Sequence, residues 1–150
     1  MAMTLLPRKG LLAITAVIDV AVNARGQPVS AKALAVRHGL PPRHLEPVLQ
    51  ALVHGGILKG IRGPRGGYEL ARERRRITVD EVVRAIALAE DDADTTVGSS
   101  LIGRVVSPAI VEAERAFSTA LAQISMDELA RRAETLDRVD GVRQPINFTI

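Results

Sequence analysis

Residues Arg62–Arg72 read Arg-Gly-Pro-Arg-Gly-Gly-Tyr-Glu-Leu-Ala-Arg, a pattern that predicts a β-hairpin. Residues 57–61 are mainly apolar and predict the first strand, while Tyr68 and Leu70 alternate as the return strand. Between them, residues 63–67 form a tight turn, because glycine adopts positive φ and lets two backbones approach closely. The sequence therefore places a short two-stranded ribbon near the middle of the chain.

Three arginines lie at the tip and the feet of this ribbon, namely Arg62, Arg65 and Arg72. Guanidinium groups in such positions suit a phosphate backbone or a narrow minor groove. The alternative is a solvated hairpin that carries incidental charge, since runs of charge usually form solvated faces. The ribbon alone does not distinguish these two interpretations.

Three helices are predicted before the ribbon. The first covers Arg8 to Ala24, and the second begins after Ser30 as N-cap and ends at Gly39 in a left-handed conformation. A third helix, Pro42 to His54, follows after two residues and carries an apolar face at helical spacing. A short helix, a glycine-containing turn and a longer helix form a helix-turn-helix, which the ribbon extends into a winged helix-turn-helix.

Pro47 conflicts with a regular third helix, because proline lacks the N–H that a helix interior uses. Proline is tolerated in a first turn. We therefore expect the regular part of this helix to begin near His44.

The net charge of +3 conceals an asymmetry between the two halves of the chain. Residues 1–76 hold 13 basic and 4 acidic residues, or +9, whereas residues 77–150 hold 7 basic and 13 acidic residues, or −6. This division indicates that the first half meets a polyanion. Arginine dominates the basic residues, and its planar fork matches phosphates and guanine edges.

The DNA-contacting residues are predicted from these elements. Arg43, His44 and Gln50 lie on the polar face of the third helix, whose N-terminal residues reach base edges in a helix-turn-helix. Ser30 and Lys32 begin the second helix and are expected to bind phosphate. The complete prediction is Ser30, Lys32, Arg43, His44, Gln50, Arg62, Arg65 and Arg72. Residues 74–76 are either further phosphate contacts or surface, and Glu46 is either on the DNA face or paired with an arginine.

The second half of the chain is predicted to be helical. Thr78 and Glu81 form a capping box that opens a helix, which should stop in the acidic run at residues 90–94. Residues 95–106 are expected to form a loop and then a short helix. Ser107-Pro108 has the N-cap and first-position residues of a helix start, and Ser125 opens a last helix to about Val139.

An apolar stripe on the helix from Pro108 is the predicted homodimer surface. Most soluble oligomers are twofold dimers, and small residues permit close helix contact. The alternative is that the stripe packs on its own domain. The residues of the stripe are Ile110, Ala113, Phe117, Ala120, Leu121 and Ile124.

The composition excludes several classes of function. The chain has no cysteine, which excludes disulfides, thiolate metal sites and cysteine nucleophiles, and its three histidines all lie in or beside the helix-turn-helix. No metal site, cofactor or catalytic constellation is predicted, so the chain is not expected to be an enzyme. The apolar run at residues 10–22 is too short for a membrane span and contains Asp19, so we expect a buried helix in a cytoplasmic protein.

The run from His44 to Arg84, with Arg-Gly-x-x-Gly-Gly-Tyr-x-Leu as its specific core, closely resembles the Rrf2 family of bacterial transcription regulators, of the IscR, NsrR and CymR type. The resemblance covers essentially the whole chain. It implies a homodimer joined through a long C-terminal helix, with the third helix in the major groove of a palindromic operator and the wing in the minor groove. It assigns those roles to Arg43, His44, Gln50, Arg62 and Arg65, and it implies that Tyr68 is structural.

One departure from the family pattern concerns residues 90–106. The resemblance implies three cysteines there in members that bind iron–sulfur clusters, and this chain has neither cysteine nor histidine in that segment. We therefore expect that the protein does not sense its signal through an iron–sulfur cluster. The expected fold is mainly α with a small β-hairpin. The predicted division is a DNA-binding domain at 1–90, a connection at 91–107, dimerisation helices at 108–140 and a tail at 141–150.

The sequence-level prediction is a homodimeric, sequence-specific DNA-binding repressor whose effector is unknown. The alternative is a winged helix that serves as a protein-interaction module without DNA sequence preference. Steep weakening of binding by salt would favour the first, because each neutralised phosphate releases counterions.

Overall fold

The computed structural model of the chain describes residues 5–90 and 100–139, and it is mainly α-helical with one small hairpin. The elements, in chain order, are α1 (Arg8–Asn23), α2 (Ala31–His38), α3 (Pro42–His54), β1 (Leu58–Ile61), β2 (Gly67–Leu70), a 3-10 turn (Arg74–Arg76), α4 (Val79–Glu90), a π-helical turn (Ile102–Val106), α5 (Ser107–Ala122) and α6 (Met126–Val139). The predicted fold class is confirmed. Within the described ranges, no helix is both long and apolar enough to cross a membrane.

The core lies where α1, α2, α3 and α4 meet. Helix α3 contributes Leu45, Leu49 and Leu52, which are fully buried and follow the three-to-four-residue spacing of one helix face. Leu34 from α2 and Val82 from α4 are equally buried against them. Because these side chains are aliphatic, the core depends on close helix packing rather than on aromatic rings.

The predicted helix caps are confirmed. Ser30 Oγ accepts the backbone N–H of Ala33 at 3.0 Å, and Gly39 ends α2 at φ 62°. The capping box of α4 is reciprocal, since Glu81 N–H donates to Thr78 Oγ1 and Thr78 N–H donates to Glu81 Oε2, both at 3.2 Å. These local bonds fix where each helix begins or ends.

The hairpin pairs antiparallel, and it is joined by a third piece of extended backbone. Leu58 lies opposite Leu70 and Ile61 lies opposite Gly67. On the other edge of β2, Val29 and Tyr68 exchange two backbone hydrogen bonds at 2.9 and 2.8 Å. The wing is thus attached directly to the residue that precedes the N-cap of α2.

The expectation that α3 begins near His44 is wrong. The helix begins at Pro42, with proline at its first position, so Pro47 lies in its second turn. Pro47 has no N–H to donate to the carbonyl of Arg43, but both residues are exposed, and water can satisfy that carbonyl. The strong apolar face of α3 keeps the helix intact despite this defect.

The predicted start of an α-helix at Ser107-Pro108 is confirmed, because α5 begins at Ser107 with proline in its first turn, but Ser107 is not an N-cap because the chain before it is already helical. Residues 100–122 are helical throughout, and the predicted boundary at 107 lies inside this segment. Pro108 cannot donate a helical hydrogen bond, and the chain widens just before it, where Ser107 N–H donates to the carbonyl of Ile102 five residues back. The π-helical turn accommodates proline where a helix end was expected. Residues 91–99, which the predicted loop also covers, lie outside the described residues.

Helix α6 returns to the winged unit. Its buried face places Ala130 and Ala133 against Val22 of α1, and Met126 is fully buried in the main core. Arg74 reinforces this contact, because its guanidinium donates to Asp127 and Glu134, both at 2.7 Å. Helix α6, which was predicted as part of the dimerisation unit, is therefore packed on the winged helix-turn-helix unit of its own chain.

A buried ion cluster connects α1 to α2. Asp19 is completely buried and accepts hydrogen bonds from Arg37 Nε at 2.8 Å and Arg37 Nη2 at 2.7 Å. His38 Nε2 lies 2.8 Å from the same carboxylate, and Asn23 Nδ2 donates at 3.1 Å. Burial alone would raise the pKa of Asp19, but the hydrogen bonds from His38, Arg37 and Asn23 outweigh it and hold the pKa below its usual value.

This cluster predicts acid-sensitive stability. A carboxylate with a lowered folded pKa stabilises the protein above its unfolded pKa of about 3.9, and the contribution is lost as the pH falls through the folded pKa. Replacing Asp19 by Asn should lower the free energy of unfolding at pH 7 by about 3 kcal/mol, because Arg37 loses its buried partner. Urea unfolding at pH 7 and at acidic pH measures both effects.

The matched control is Glu128→Gln, which breaks an exposed pair with Arg132 (2.8 Å). That change should cost about 0–1 kcal/mol. Equal losses for Asp19→Asn and Glu128→Gln, or an Asp19→Asn protein that loses as much stability in acid as the parent chain, would contradict the assignment.

Candidate nucleic-acid interface

The basic side chains of the described residues fall into two groups. One group is held in ion pairs with carboxylates and consists of Arg25, Arg37, Lys59, Arg72, Arg74, Arg75, Arg76, Arg84, Arg131 and Arg132. The side chains of the second group have no acidic partner within residues 5–90 and 100–139. This second group includes Lys32, Arg43, Arg62 and Arg65. These four were all predicted to contact DNA, and their charge is available to a ligand.

A shallow cleft joins the start of α2, the exposed face of α3 and the wing. Its walls include Ser30, Gln50 and Arg62, three predicted contact residues that lie up to 32 positions apart in sequence. Tyr68 also lines the cleft, half-buried, beside its backbone bridge to Val29. The fold therefore brings helix and ribbon residues to one surface.

Arg65, at the tip of the wing, lies on the neighbouring surface. It lines a second cleft together with Ser30 and Arg37, on the other side of the N-terminus of α2. Arg37 differs from Arg65 because its guanidinium is already bound to Asp19. Ser30 is thus shared between both clefts, and Arg62 and Arg65 flank the start of α2.

The first turn of α3 carries the remaining predicted residues. Arg43 and His44 are exposed and line a third cleft, opposite Arg8 of α1. Arg43 and Gln50 are seven residues apart, which places them on the same face of the helix, about two turns from each other. The polar face of α3 therefore runs from the Arg43 cleft to the wing cleft.

The other predicted contact residues do not line these three clefts with an unpaired charge. Lys32 is exposed in the first turn of α2, but it lines none of these three clefts. Arg72 pairs with Glu81 at 3.0 Å and also donates to the carbonyl of Arg76. Of the three arginines at 74–76, Arg74 holds α6 and the other two pair with Glu73, so the structure favours the surface interpretation for this run.

The glycines of the wing have roles that the sequence pattern indicated only in general terms. Gly63 adopts φ 119°, in the region that favours glycine. A Cβ atom on Gly66 would overlap the carbonyl oxygen of Ile61, and a Cβ on Gly67 would overlap the backbone of Val29. The Gly-Gly pair is therefore required by two close backbone approaches, one inside the turn and one between the wing and the segment before α2.

The segment at 100–122 presents an apolar surface that the rest of the described chain leaves open. Val105 is 59% exposed and Ile110 is 52% exposed, fractions that are high for aliphatic side chains. Further exposed aliphatic residues on this segment are Leu101, Ile102, Val106 and Val111. Ala113 and Ala120 are also exposed, and Phe117 is half-buried. An apolar helix surface of this extent indicates an interaction site.

Two members of the predicted dimer stripe do not belong to that surface. Leu121 and Ile124 are packed against the main core, and the carbonyl of Ile124 accepts the backbone N–H of Val79 at 2.9 Å. For these two residues the structure favours the alternative interpretation, in which the stripe packs on its own domain, because the chain turns back towards α4 after Ala120. The exposed apolar surface instead extends towards the N-terminal end, to Leu101.

Comparison with known proteins relates the chain to bacterial regulators. Residues 6–132 match the Rrf2 family, described as an iron-dependent transcriptional regulator. The chain is 32% identical over 141 residues to the HTH-type transcriptional regulator IscR of Xenorhabdus nematophila, which covers 90% of this chain and 84% of that protein. It is 38% identical over 81 residues to a putative HTH-type transcriptional regulator of Haemophilus influenzae, over 54% of each chain.

Solved structures give the same relationship. The structure of T. potens IscR superposes with a TM-score of 0.68 at 27% identity, covering 89% of this chain and 90% of that one. The structure of CymR, the global cysteine regulator of B. subtilis, superposes with a TM-score of 0.64 at 25% identity, covering 87% and 98%. The architecture described above is therefore that of these regulators.

The side chains of the described residues do not fit the iron that is named in the family description. The sequence has no cysteine. In the part of the chain that the structure describes, no three side chains of His, Cys, Asp or Glu come together as a metal site. Every buried side-chain polar atom there already has a hydrogen-bond partner within the protein.

The close approach at Gly67 yields a prediction about the wing. Gly67→Ala should break the Val29–Tyr68 bridge and lower the free energy of unfolding by about 1–3 kcal/mol, because backbone has to move to accept the new Cβ. Amide hydrogen exchange at Val29 and Tyr68, together with urea unfolding, measures the change. Gly60→Ala is the control, since its Cβ meets no atom within 4 Å. Unaltered exchange in Gly67→Ala would contradict the described contact.

Proposed function

The chain belongs to the Rrf2 family of transcriptional regulators, and on that premise we propose that it is a homodimeric repressor that binds a palindromic operator. The observation that carries the proposal is the set of unpaired cations around α3 and the wing. Arg43, Arg62 and Arg65 have no neutralising carboxylate among the described residues, whereas the arginines at 72–76 are paired. Keeping charge unpaired on a surface costs stability, and a polyanionic partner would offset that cost.

The geometry supports a division of labour between helix and wing. Helix α3 presents Arg43 and Gln50 on one exposed face, which suits entry into the major groove. There, Arg43 would bind guanine or phosphate and Gln50 would bind adenine or phosphate. The wing places Arg62 and Arg65 on either side of the N-terminus of α2, where they would follow the backbone into the minor groove. Ser30 and Lys32 would bind the phosphate between the two grooves.

The exposed apolar surface of 100–120 supports a twofold dimer. A patch on a helix that is self-complementary about a twofold axis buries the same residues of both copies. A dimer of this kind would present two α3 helices and two wings, and therefore two half-sites related by the same symmetry. A palindromic operator follows from this arrangement, and occupancy of a promoter by the dimer would block transcription. Such a regulator acts where the chromosome lies, which agrees with the predicted cytoplasmic location.

We also propose that the chain does not sense its signal through an iron–sulfur cluster. The absence of cysteine removes the thiolate ligands that hold such clusters. The similarity to IscR and CymR therefore supports DNA binding by this chain, and it does not support a shared signal. The competing function is a protein-interaction module, and the unpaired arginines beside an exposed recognition helix favour DNA over that alternative.

Arg65 and Arg75 provide a matched test of the DNA interface. Arg65→Ala should weaken operator binding by about 1–3 kcal/mol, because an unpaired arginine at the wing tip loses its contact with the minor groove or phosphate. Arg75→Ala removes the same charge from an exposed pair with Glu73, 2.9 Å away, and should leave affinity nearly unchanged. Fluorescence anisotropy with labelled duplex measures both, and equal losses would contradict a specific role for the wing.

Salt dependence separates DNA recognition from the protein-interaction alternative. The logarithm of the DNA association constant should fall linearly with the logarithm of salt concentration, with a slope set by the number of neutralised phosphates. A module that binds protein would show no duplex preference. Affinity for duplex DNA that stays flat as salt increases would contradict the proposed function.

The dimer surface has its own test. Ile110→Asp places a charge in the middle of the exposed apolar surface and should raise the dimer dissociation constant at least about 100-fold, because an unpaired buried carboxylate is costly. Thr119→Asp is the control, since it adds the same charge about two and a half helical turns away, on the opposite face. Sedimentation equilibrium gives both constants. An Ile110→Asp dimer as tight as the Thr119→Asp dimer would place the interface elsewhere.

A further inference from the structure

We propose that the cleft between the first turns of α1 and α3 binds a small organic anion, an apolar body that carries one carboxylate, and that this anion competes with DNA. The anion site stands on its own geometry. The competition rests on the proposed function, because it assumes that Arg43 and His44 face the operator.

The cleft has the dimensions of a ligand site. Its volume is about 470 Å³, within the range of roughly 300–1,000 Å³ that small-molecule sites occupy. Helix α1 forms one wall and helix α3 the other, with Leu40 from the turn between α2 and α3 at one end. The lining residues are Arg8, Lys9, Leu12, Leu40, Arg43, His44 and Pro47.

The charge of the lining selects an anion. Four of the lining residues are basic types, and none of the described lining residues is acidic. Arg8 and Arg43 come from different helices, and no carboxylate in the described ranges neutralises either of them. The guanidinium fork binds a carboxylate through two parallel hydrogen bonds, which makes a carboxylate the best match.

The apolar part of the lining distinguishes this cleft from a simple phosphate contact. Leu12, Leu40 and Pro47 form an apolar floor, which a DNA phosphate would not use. Beyond Lys9 and Pro47 the floor continues into a smaller cleft of about 160 Å³. That extension is lined by the aliphatic residues Val48, Ala51, Ile86 and Ala89. A single ring or a medium-length alkyl chain would cover this surface while its carboxylate lies between the arginines.

The position of the cleft links its occupancy to DNA binding. Arg43 and His44 line it and also begin the face of α3 that is proposed to enter the major groove. A carboxylate bound to Arg43 neutralises that guanidinium and holds it away from the groove. Anion and operator would therefore oppose each other's binding, and each would weaken the affinity for the other by the same factor.

Calorimetry of the full chain without DNA tests the anion site directly. Octanoate and phenylacetate are the probes, with octanamide and phenylacetamide as neutral controls of the same shape. Binding heat from a carboxylate and none from its amide is the expected result. No heat from either carboxylate, or equal heat from the amides, would overturn the site. This experiment does not depend on the proposed function, because it contains no DNA.

Pro47 allows a substitution that blocks the cleft without endangering the fold. Pro47→Glu restores a backbone N–H to α3 and places a carboxylate on the floor beside the arginines, so carboxylate binding should weaken by about tenfold or more. Pro47→Gln has nearly the same shape without the charge and should retain binding. Equal affinity of Pro47→Glu and Pro47→Gln for the carboxylates would overturn the location.

Arg8→Ala tests the competition with DNA, since Arg8 is outside the proposed DNA contacts. At constant ionic strength, saturating carboxylate should weaken DNA binding of the parent chain by about tenfold, because one charge-assisted contact with DNA is lost. The ratio of affinities with and without carboxylate should return towards one in Arg8→Ala. Binding heat without any change in DNA affinity would overturn the competition alone. A chain that binds no duplex would contradict the proposed function and leave the anion site standing.

Discussion

The arrangement of the proposed DNA-binding surface depends on one backbone contact, the pair of hydrogen bonds between Val29 and Tyr68. This contact attaches the wing to the residue before the N-cap of α2, and it exists because Gly67 has no Cβ to collide with Val29. Through it, Arg62 and Ser30 come to one cleft with Gln50 of α3. A hairpin of two four-residue strands is marginal by itself, so without this attachment the wing arginines would have no fixed position relative to the recognition helix.

Most of the fold was predictable because its boundaries are set by local chemistry. Serine and threonine caps, a left-handed glycine and an alternating hairpin act within a few residues, and Ser30, Gly39 and Thr78 behave as their types predict. The two places where the helices depart from the local rules both involve proline. Pro47 and Pro108 satisfy local rules for a helix start, yet tertiary packing in one case and a π-helical turn in the other keep the helix continuous. Neither outcome is encoded in neighbouring residues alone.

The types of residue that form the candidate site could be predicted from the sequence, but which individual residues belong to the site could be predicted only in part. An arginine in sequence does not reveal whether a carboxylate from a distant segment neutralises it, and Arg74 pairs with Glu134, 60 positions away. Asp19 is the clearest example, because it interrupts an apolar helix and proves to be the buried partner of Arg37 and His38. Leu121 fits the helical stripe of the predicted dimer surface but packs against the core of its own chain, since the direction of the chain after α5 depends on long-range contacts.

The structure therefore supports a regulator in which the unpaired cations are positioned by a small aliphatic scaffold, while the paired ones hold that scaffold together. The most direct test of this claim is the sequencing of genomic fragments that the purified chain retains at physiological salt. We expect the fragments to share an inverted repeat whose half-sites are about one helical turn of DNA apart. Retained fragments without any common sequence would contradict it.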